Sequence, residues 1–489
     1  MNPAVAATHS DTRFFGHPRG LATLFFTEMW ERFSYYGMRA ILILFMTASV
    51  ANGGLGFPVV KAGAIYGFYT AMVYLLSLPG GWVADRIFGQ RRAVLYGGIL
   101  IAAGEFALMS PAIGGFYSGL ALLIVGTGLL KPNVSTMVGQ LYAQGDRRRD
   151  SGFSIFYMGI NLGAFSPLAV GWVGERINWR LGFGLAGIGM LAGLIQFLLG
   201  AKYLGTAGQP PQARIRLQRS GVLAMTASAL ILAAVGLLAA TGRIEITVER
   251  ISSALGLVLI LVSLAIFAWL LLGPGWSVTE RKRSGAILVL FIASAVFWAA
   301  YEQGGSSLNL FAERSTRHVL LGFDFPPSWF QFVPAAFVMI LAPVFAWLWI
   351  ALGKREPSSP TKFAWSLVFS GIAFAILIPP ARVAIAGGLV SPWWLTGTYF
   401  VQTVAEMCLS PVGLSAMTKL APARLAGMMM GLWFVSISIG DYLAGTAASL
   451  YESMPLPTLF GTVAIISFGA AIVLVLLVKP TKKLMGGVN

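Results

Sequence analysis

The chain is divided into apolar runs about 20 residues long, the length an α-helix needs to cross roughly 30 Å of hydrocarbon. Fourteen such runs can be marked: 20–50, 58–84, 92–110, 116–140, 152–173, 181–203, 220–241, 252–273, 285–311, 328–351, 362–380, 393–418, 425–449 and 457–478. Each stops at a Gly, a Pro or a cluster of charges. In lipid every backbone polar group must be satisfied within the chain, which restricts spanning structures to helices and closed barrels. A barrel would show segments of about ten alternating residues, and no such pattern is present. The expectation is an all-α polytopic membrane protein. Composition agrees: 57% of residues are hydrophobic and 11% charged, mean hydropathy is +0.77, and soluble domains carry about a quarter charged residues.

A formal charge of +16 and a pI near 10.1 would also suit a nucleic-acid binder, so the placement of the cations decides. With the N-terminus in the cytoplasm, 23 Lys and Arg fall on the cytoplasmic side, 8 on the other side, and 3 (Arg32, Arg39 and Lys131) within spans, together the 34 in the chain. That asymmetry follows the positive-inside rule. The densest clusters, DRIFGQRR at 85–92, DRRR at 146–149 and ERKR at 280–283, lie between spans and lack interleaved aromatics. Residues 1–20 show no continuous apolar core followed by a small-residue cleavage site, and read as a tail rather than a signal peptide. Cys408 is the sole cysteine, so no intramolecular disulfide can form.

Two polar segments, 202–220 and 273–284, divide the spans into six, two and six. The expected organisation is a cytoplasmic tail (1–19), an N-terminal six-helix bundle (20–203), a linker with an accessory, lipid-facing transmembrane hairpin (204–284), a C-terminal six-helix bundle (285–478) and a second cytoplasmic tail (479–489). Two six-helix halves are the plan of major facilitator transporters, whose substrate site lies near the midplane between the halves. The stretch GGWVADRIFGQRR resembles the G-x-x-x-D-R-x-G-R-R loop of that superfamily through Gly81, Asp85, Arg86, Gly89, Arg91 and Arg92. The resemblance implies a cytoplasmic latch between neighbouring helix ends, with Asp85 meeting a helix end or an Arg.

The first span carries TEMWERFSYYGMRA, with Glu28, Glu31, Arg32 and Arg39 between lipid-soluble flanks. An ionic residue at a helix centre is unfavourable by roughly 2.5–3.5 kcal/mol on insertion scales, so four together need a purpose. At about 100° per residue, these four with Tyr35 and Tyr36 share an arc of roughly 140°. Glu28 and Arg32 are also spaced i, i+4 for an ion pair. Lys131, Asn161, Glu302 and Glu406 add isolated polar groups to other apolar spans, which points to a wet central cavity.

TEMWERFSYYG matches the E-x-x-E-R-F-x-Y-Y-G motif of the proton-coupled oligopeptide transporter family, and FYMGINLGAFSP (156–167) resembles that family's second signature. The resemblance continues through Lys131, WAAYEQ around Glu302, PSWFQ at 327–331, 405–422 and GLWF at 431–434. It implies a proton-coupled symporter importing di- and tripeptides by alternating access. In that reading Arg32, Arg39 and Lys131 resemble the groups that receive the peptide carboxylate, while Glu406 and Asn161 resemble those that receive its amino terminus. Tyr35, Tyr36, Tyr74 and Trp433 would supply aromatic walls.

Coupling to protons needs groups that change charge. A carboxylate holds its proton more tightly when desolvated and less tightly beside a cation, which makes Glu28, Glu31 and Glu302 the candidates, with Arg32 and Lys131 as partners. Lys131 is expected to pair with the first-span carboxylates in the empty site and with the peptide carboxylate in the filled one. The three histidines lie outside the spans, and Gly67 stands where animal relatives carry a histidine. Pro334 stands where relatives commonly have an asparagine near the peptide amino terminus, and a kink there would reshape the pocket. The expected partners are peptides, protons and membrane lipid, without nucleic acid or cofactor, in a monomer of the bacterial inner membrane. The competing function is transport of nitrate, drugs or modified peptides on the same fold. Enzymatic chemistry finds no support, since no metal-ligand cluster or Ser/His/Asp set occurs within the spans and Cys408 has no histidine beside it there.

Overall fold

The computed structural model describes residues 12–143, 146, 148–210, 247–320, 322–421 and 426–487. The N-terminal half contains α1 (Arg19–Thr47), α2 (Val59–Leu75, prolonged by Ser77–Val83), α3 (Gln90–Leu108), α4 (Ile113–Gln140), α5 (Arg148–Gly163, prolonged by Pro167–Arg176) and α6 (Trp179–Gly200). After α7 (Val248–Leu272), the C-terminal half contains α8 (Val278–Tyr301, prolonged by Ser307–Ser315), α9 (Val333–Leu352) and α10 (Ser359–Ile376, prolonged by Ile378–Ile385). It ends with α11 (Pro392–Leu420), α12 (Ala426–Ser449) and α13 (Leu456–Met485). Eleven described helical stretches are long and apolar enough to cross a membrane. α1 and α3, of 29 and 19 residues, stand outside that group because they carry more ionic side chains. The expected span 220–241 lies outside the described residues, so the count of fourteen is not settled by the described helices.

Several expected spans are interrupted where the sequence weakens the helical ladder. The expected span 285–311 breaks into a 3-10 turn at Glu302–Gly305, where two glycines follow Gln303. Pro132 lies inside α4. Its missing N–H frees a carbonyl one turn earlier, at Gly128, where the backbone of Gly80 packs close. Pro334, by contrast, occupies the first turn of α9, where an amide would have no intrahelical partner, so it causes no kink. The interior proline of α9 is Pro343. α13 runs past the expected span end at 478, through Lys479, Lys482 and Lys483, to Met485. Lysines suit the negative end of the helix dipole, and Gly486 ends it in a left-handed conformation at φ 63°.

Hydrogen bonds tie the halves together around the C-terminal part of α1, the start of α2 and the second part of α5. Asn309 Nδ2 donates to the Ala40 carbonyl at 2.8 Å, the Ser328 amide to Glu175 Oε1 at 3.0 Å, Trp329 Nε1 to the Leu168 carbonyl at 3.1 Å, and Ser449 Oγ to the Val60 carbonyl at 3.1 Å. There α2 and α12 meet through small residues. A Cβ at Gly63 would lie 2.8 Å from the Gly445 oxygen, and one at Gly67 2.8 Å from the Gly445 Cα. Such small-residue seams permit close approach of membrane helices. α7 buries Leu255, Leu259, Phe267 and Leu270 and keeps Leu257, Leu261 and Leu264 exposed, so this described part of the accessory hairpin has one packed face and one lipid-facing face.

Candidate functional site

A cavity opens between the halves. From the N-terminal half its wall includes Tyr36 and Arg39 on α1, Tyr74 on α2, and Tyr157 and Asn161 on α5. Glu302 at the α8 break and Glu406 on α11 face them from the C-terminal half. Seven residues singled out in the sequence therefore meet around one space: Tyr36, Arg39, Tyr74, Asn161, Glu302, Pro334 and Glu406.

Arg39 is ion-paired with Glu302, and its Nε donates to Tyr66 Oη at 2.6 Å. The pair connects the halves, because Arg39 belongs to α1 and Glu302 to the break in α8. On the opposite wall Tyr301 Oη donates to Glu406 Oε2 at 2.6 Å. Asn161 Nδ2 donates to the Tyr157 carbonyl at 3.0 Å within its own helix. Gln331 Nε2 reaches the Gly304 carbonyl at 2.6 Å and fixes the turn that carries Glu302.

Glu28, Glu31 and Arg32 form a buried cluster beside this lining rather than part of it. Arg32 pairs with Glu31 and lies 3.3 Å from Glu28 Oε1. Its guanidinium carbon also sits 4.9 Å from the Tyr35 ring centroid, and Tyr35 meets Tyr36 edge to face at 5.3 Å. Tyr35 is thus a buried support behind Tyr36. One guanidinium serves two carboxylates, and Glu28 Oε2 has no hydrogen-bond partner among the described residues.

The expected pairing of Lys131 with the first-span acids is not what the structure contains. Among the described residues no ion pair joins it to Glu28 or Glu31; its Nζ lies 3.6 Å from the Tyr74 ring centroid. Arg32 already occupies those acids, while the ring face offers a cation a non-ionic seat. Tyr74 in turn stacks on Phe434 of α12 at 6.3 Å, so the Lys131 seat touches the other half. The expected wall residue Trp433, one position away, points elsewhere. It is buried against Phe363 at 6.5 Å and close to Gly413, outside the cavity lining.

Glu105 is buried and accepts Ser34 Oγ at 3.0 Å, away from the cavity. Asp441 is buried without lining it. Gly67 has no room for a larger residue in this packing. Both described histidines stand apart: His17 Nδ1 is 2.8 Å from Tyr142 Oη, and His318 Nε2 is 2.6 Å from the Ala312 carbonyl. Among the described residues no group of acidic, His and Cys side chains could hold a metal.

The basic loop makes two sets of contacts. Asp85 accepts Gln90 Nε2 at 2.7 Å, so of its two expected partners it meets a helix end, the first residue of α3, and not an Arg. Arg91 does the fastening: Nε and Nη2 each donate at 2.6 Å, to the carbonyls of Ala207 and Gly205. Gly89, at φ 77°, lets Pro210 approach, since a Cβ there would lie 2.7 Å from the Pro210 nitrogen. Gly81 has ordinary packing distances, and the close approach falls at Gly80. Arg86 and Arg92 are exposed.

Tyr301, Tyr157, Gln331 and Tyr66 were not singled out from the sequence. Tyr301 and Gln331 lie in the quoted stretches WAAYEQ and PSWFQ, so their adjacency to Glu302 or to a helix break was the available signal. Nothing distinguishes Tyr66 from a core aromatic.

The POT family model (PTR2) matches residues 91–463. A peptide transporter of Yersinia enterocolitica, YePEPT, is 42% identical, over 96% of each chain. A di-/tripeptide transporter of Lactococcus lactis subsp. cremoris is 38% identical over 98% of this chain and 99% of its own. The crystal structure of a peptide transporter POT in complex with sulfate is 44% identical and superposes with a TM-score of 0.93 over 99% of both chains.

Proposed function

The chain belongs to the POT family, and from that membership we propose that it is a symporter importing di- and tripeptides with protons by alternating access. The carrying observation is the cavity at the seam of the halves, with the Arg39 guanidinium contributed by one half and the Glu406 carboxylate by the other. A zwitterionic peptide presents opposite charges at its two ends whatever its side chains, so a cavity with opposite charges on facing walls suits broad peptide recognition. Arg39 receives the peptide carboxylate, with Lys131 joining it from the Tyr74 ring and Arg32 acting through the stripe behind. Glu406 and Asn161 receive the amino terminus, and Tyr36, Tyr74 and Tyr157 bound the side chains.

Proton coupling rests on two devices. One guanidinium cannot neutralise both Glu28 and Glu31, so the remaining charge is balanced by a proton or by Lys131. The Arg39–Glu302 pair ties the halves, and protonation of the acid or withdrawal of the Arg towards a peptide releases it. Transport is across the bacterial plasma membrane, with the basic end and both termini cytoplasmic and a single chain as the working unit.

The test is peptide-dependent acidification of the lumen of proteoliposomes containing the purified chain. Dialanine should acidify the interior and accumulate there under an inward proton gradient. Accumulation of nitrate or a drug, with no response to dialanine, would overturn the peptide reading.

A further inference from the structure

Two cavities share a wall near the basic ends of α9, α10 and α11. One, about 240 Å³, is a slot between apolar side chains, among them Phe345, Leu348 and Leu352 of α9, Phe369 of α10, and Val404 and Cys408 of α11. The other, about 560 Å³, is bounded by Lys362, Lys419 and Lys482, with Ser358 and Ser415, against one acid, Glu356. Trp349, Pro357 and Lys362 border both. Neither cavity shares a lining residue with the central one.

Lys362 is only 6% exposed. Its Nζ sits 2.5 Å from Glu356 Oε1 and 4.1 Å from the Trp349 ring centroid. The apolar slot borders the flank of the bundle, since Trp365 on its rim is 55% exposed.

We propose that these joined cavities seat one anionic glycerophospholipid, with its phosphate among the three lysines and an acyl chain in the slot. In a bilayer, an apolar slot on the flank is filled by hydrocarbon, the abundant apolar species there. From Phe345 to Leu352 α9 rises about 10 Å, around two-thirds of the hydrocarbon depth of one leaflet. Lys362 and the two tryptophans mark the level where chains give way to headgroups. Three cations against one acid favour an anionic headgroup over a zwitterionic one. A free phosphate would use the polar cavity and leave the slot without a role. The occupied seat would join α9, α10 and the Lys482 end of α13 to α11 on the side remote from the central cavity.

The test uses the purified full-length chain, delipidated in detergent, titrated with dioleoylphosphatidylglycerol, dioleoylphosphatidylcholine or inorganic phosphate and read by native mass spectrometry. The phosphatidylglycerol should bind about fivefold or more tightly than the phosphatidylcholine, and inorganic phosphate should not displace it. Replacing buried Lys362 endangers folding, so the exposed pair Lys419→Gln and Lys482→Gln carries the charge test and should remove the preference. Leu348→Trp, which fills the slot, should weaken both lipids. Equal affinity for the two lipids, an unchanged preference in the lysine pair, or unchanged lipid binding by Leu348→Trp would each overturn the proposal. Displacement by inorganic phosphate would also overturn it and identify a free-anion site.

Discussion

Arg39 on α1 reaches across the seam to pair with Glu302, at the point where α8 loses its helical ladder. Because Tyr66 Oη accepts from the same guanidinium, Arg39 stays anchored to its own half when Glu302 lets go. Glu302→Gln keeps the shape and removes the charge. Proton-driven uptake should fall by about tenfold or more, while equilibrium peptide binding changes by less than about threefold, as expected for a residue that biases a conformational equilibrium. Uptake under a proton gradient and binding to the detergent-solubilised protein separate the two. Normal driven uptake would remove Glu302 from coupling.

Lys131 rests on Tyr74 rather than on the acids of α1. Lys131→Ala should abolish proton-driven accumulation, yet preserve some exchange of labelled for unlabelled peptide, which requires no net proton release. Tyr74→Phe retains the ring face and should be mild. Tyr74→Leu discards about 0.5–2 kcal/mol of cation–π attraction and should approach the Lys131→Ala phenotype. Robust driven accumulation by folded Lys131→Ala would falsify the coupling role.

If the cavity brackets a zwitterion, blocking either end of the ligand must weaken it. Amidated and N-acetylated dialanine should both compete less well than dialanine against a labelled dipeptide. Pro334 lines the cavity and has no side-chain polar group, so amidation should be the more harmful change. Equal competition by all three compounds would sink the bracketing model.

Tyr301 holds Glu406 by a 2.6 Å hydrogen bond. Tyr301→Phe leaves the ring and removes the donor, for an expected loss of about 1–2 kcal/mol in peptide affinity, or roughly five- to thirtyfold. N-acetylated peptide, which has no ammonium for Glu406, should be almost indifferent to the change. Equal losses for both ligands would point to general damage to the pocket.

The membrane class and the α1 stripe were legible because charge in hydrocarbon is too unfavourable to be casual, so Glu28, Glu31, Arg32 and Arg39 announce themselves. Aromatic side chains do not. Tyr301 and Tyr157 line the cavity, Trp433 does not, and all three sit in apolar helices where either outcome satisfies the same hydropathy. The turn of about 100° between neighbours on α12 decides that Phe434 rather than Trp433 reaches Tyr74. Lys131 was misplaced in its partner, because the competition between Arg32 and Lys131 for the same acids depends on three-dimensional distance. The end of α13 at Met485 is not legible from a span that stops at 478, since lysines that end a membrane span need not end a helix.

The glycine seam between α2 and α12 bears on how the halves can part. Contact at Gly63, Gly67 and Gly445 is mostly backbone against backbone, and a gap of about 0.5–1 Å already forfeits a quarter to a half of the dispersion attraction between such surfaces. A seam of long, flexible side chains could stretch and keep part of its attraction as the halves parted. This one loses attraction steeply as the backbones part, with the Ser449–Val60 hydrogen bond as its polar tie. Partly separated arrangements lose these contacts and gain no others in return. For a carrier that divides two compartments, a seam that disfavours half-open shapes is a form of insulation against unaccompanied ions.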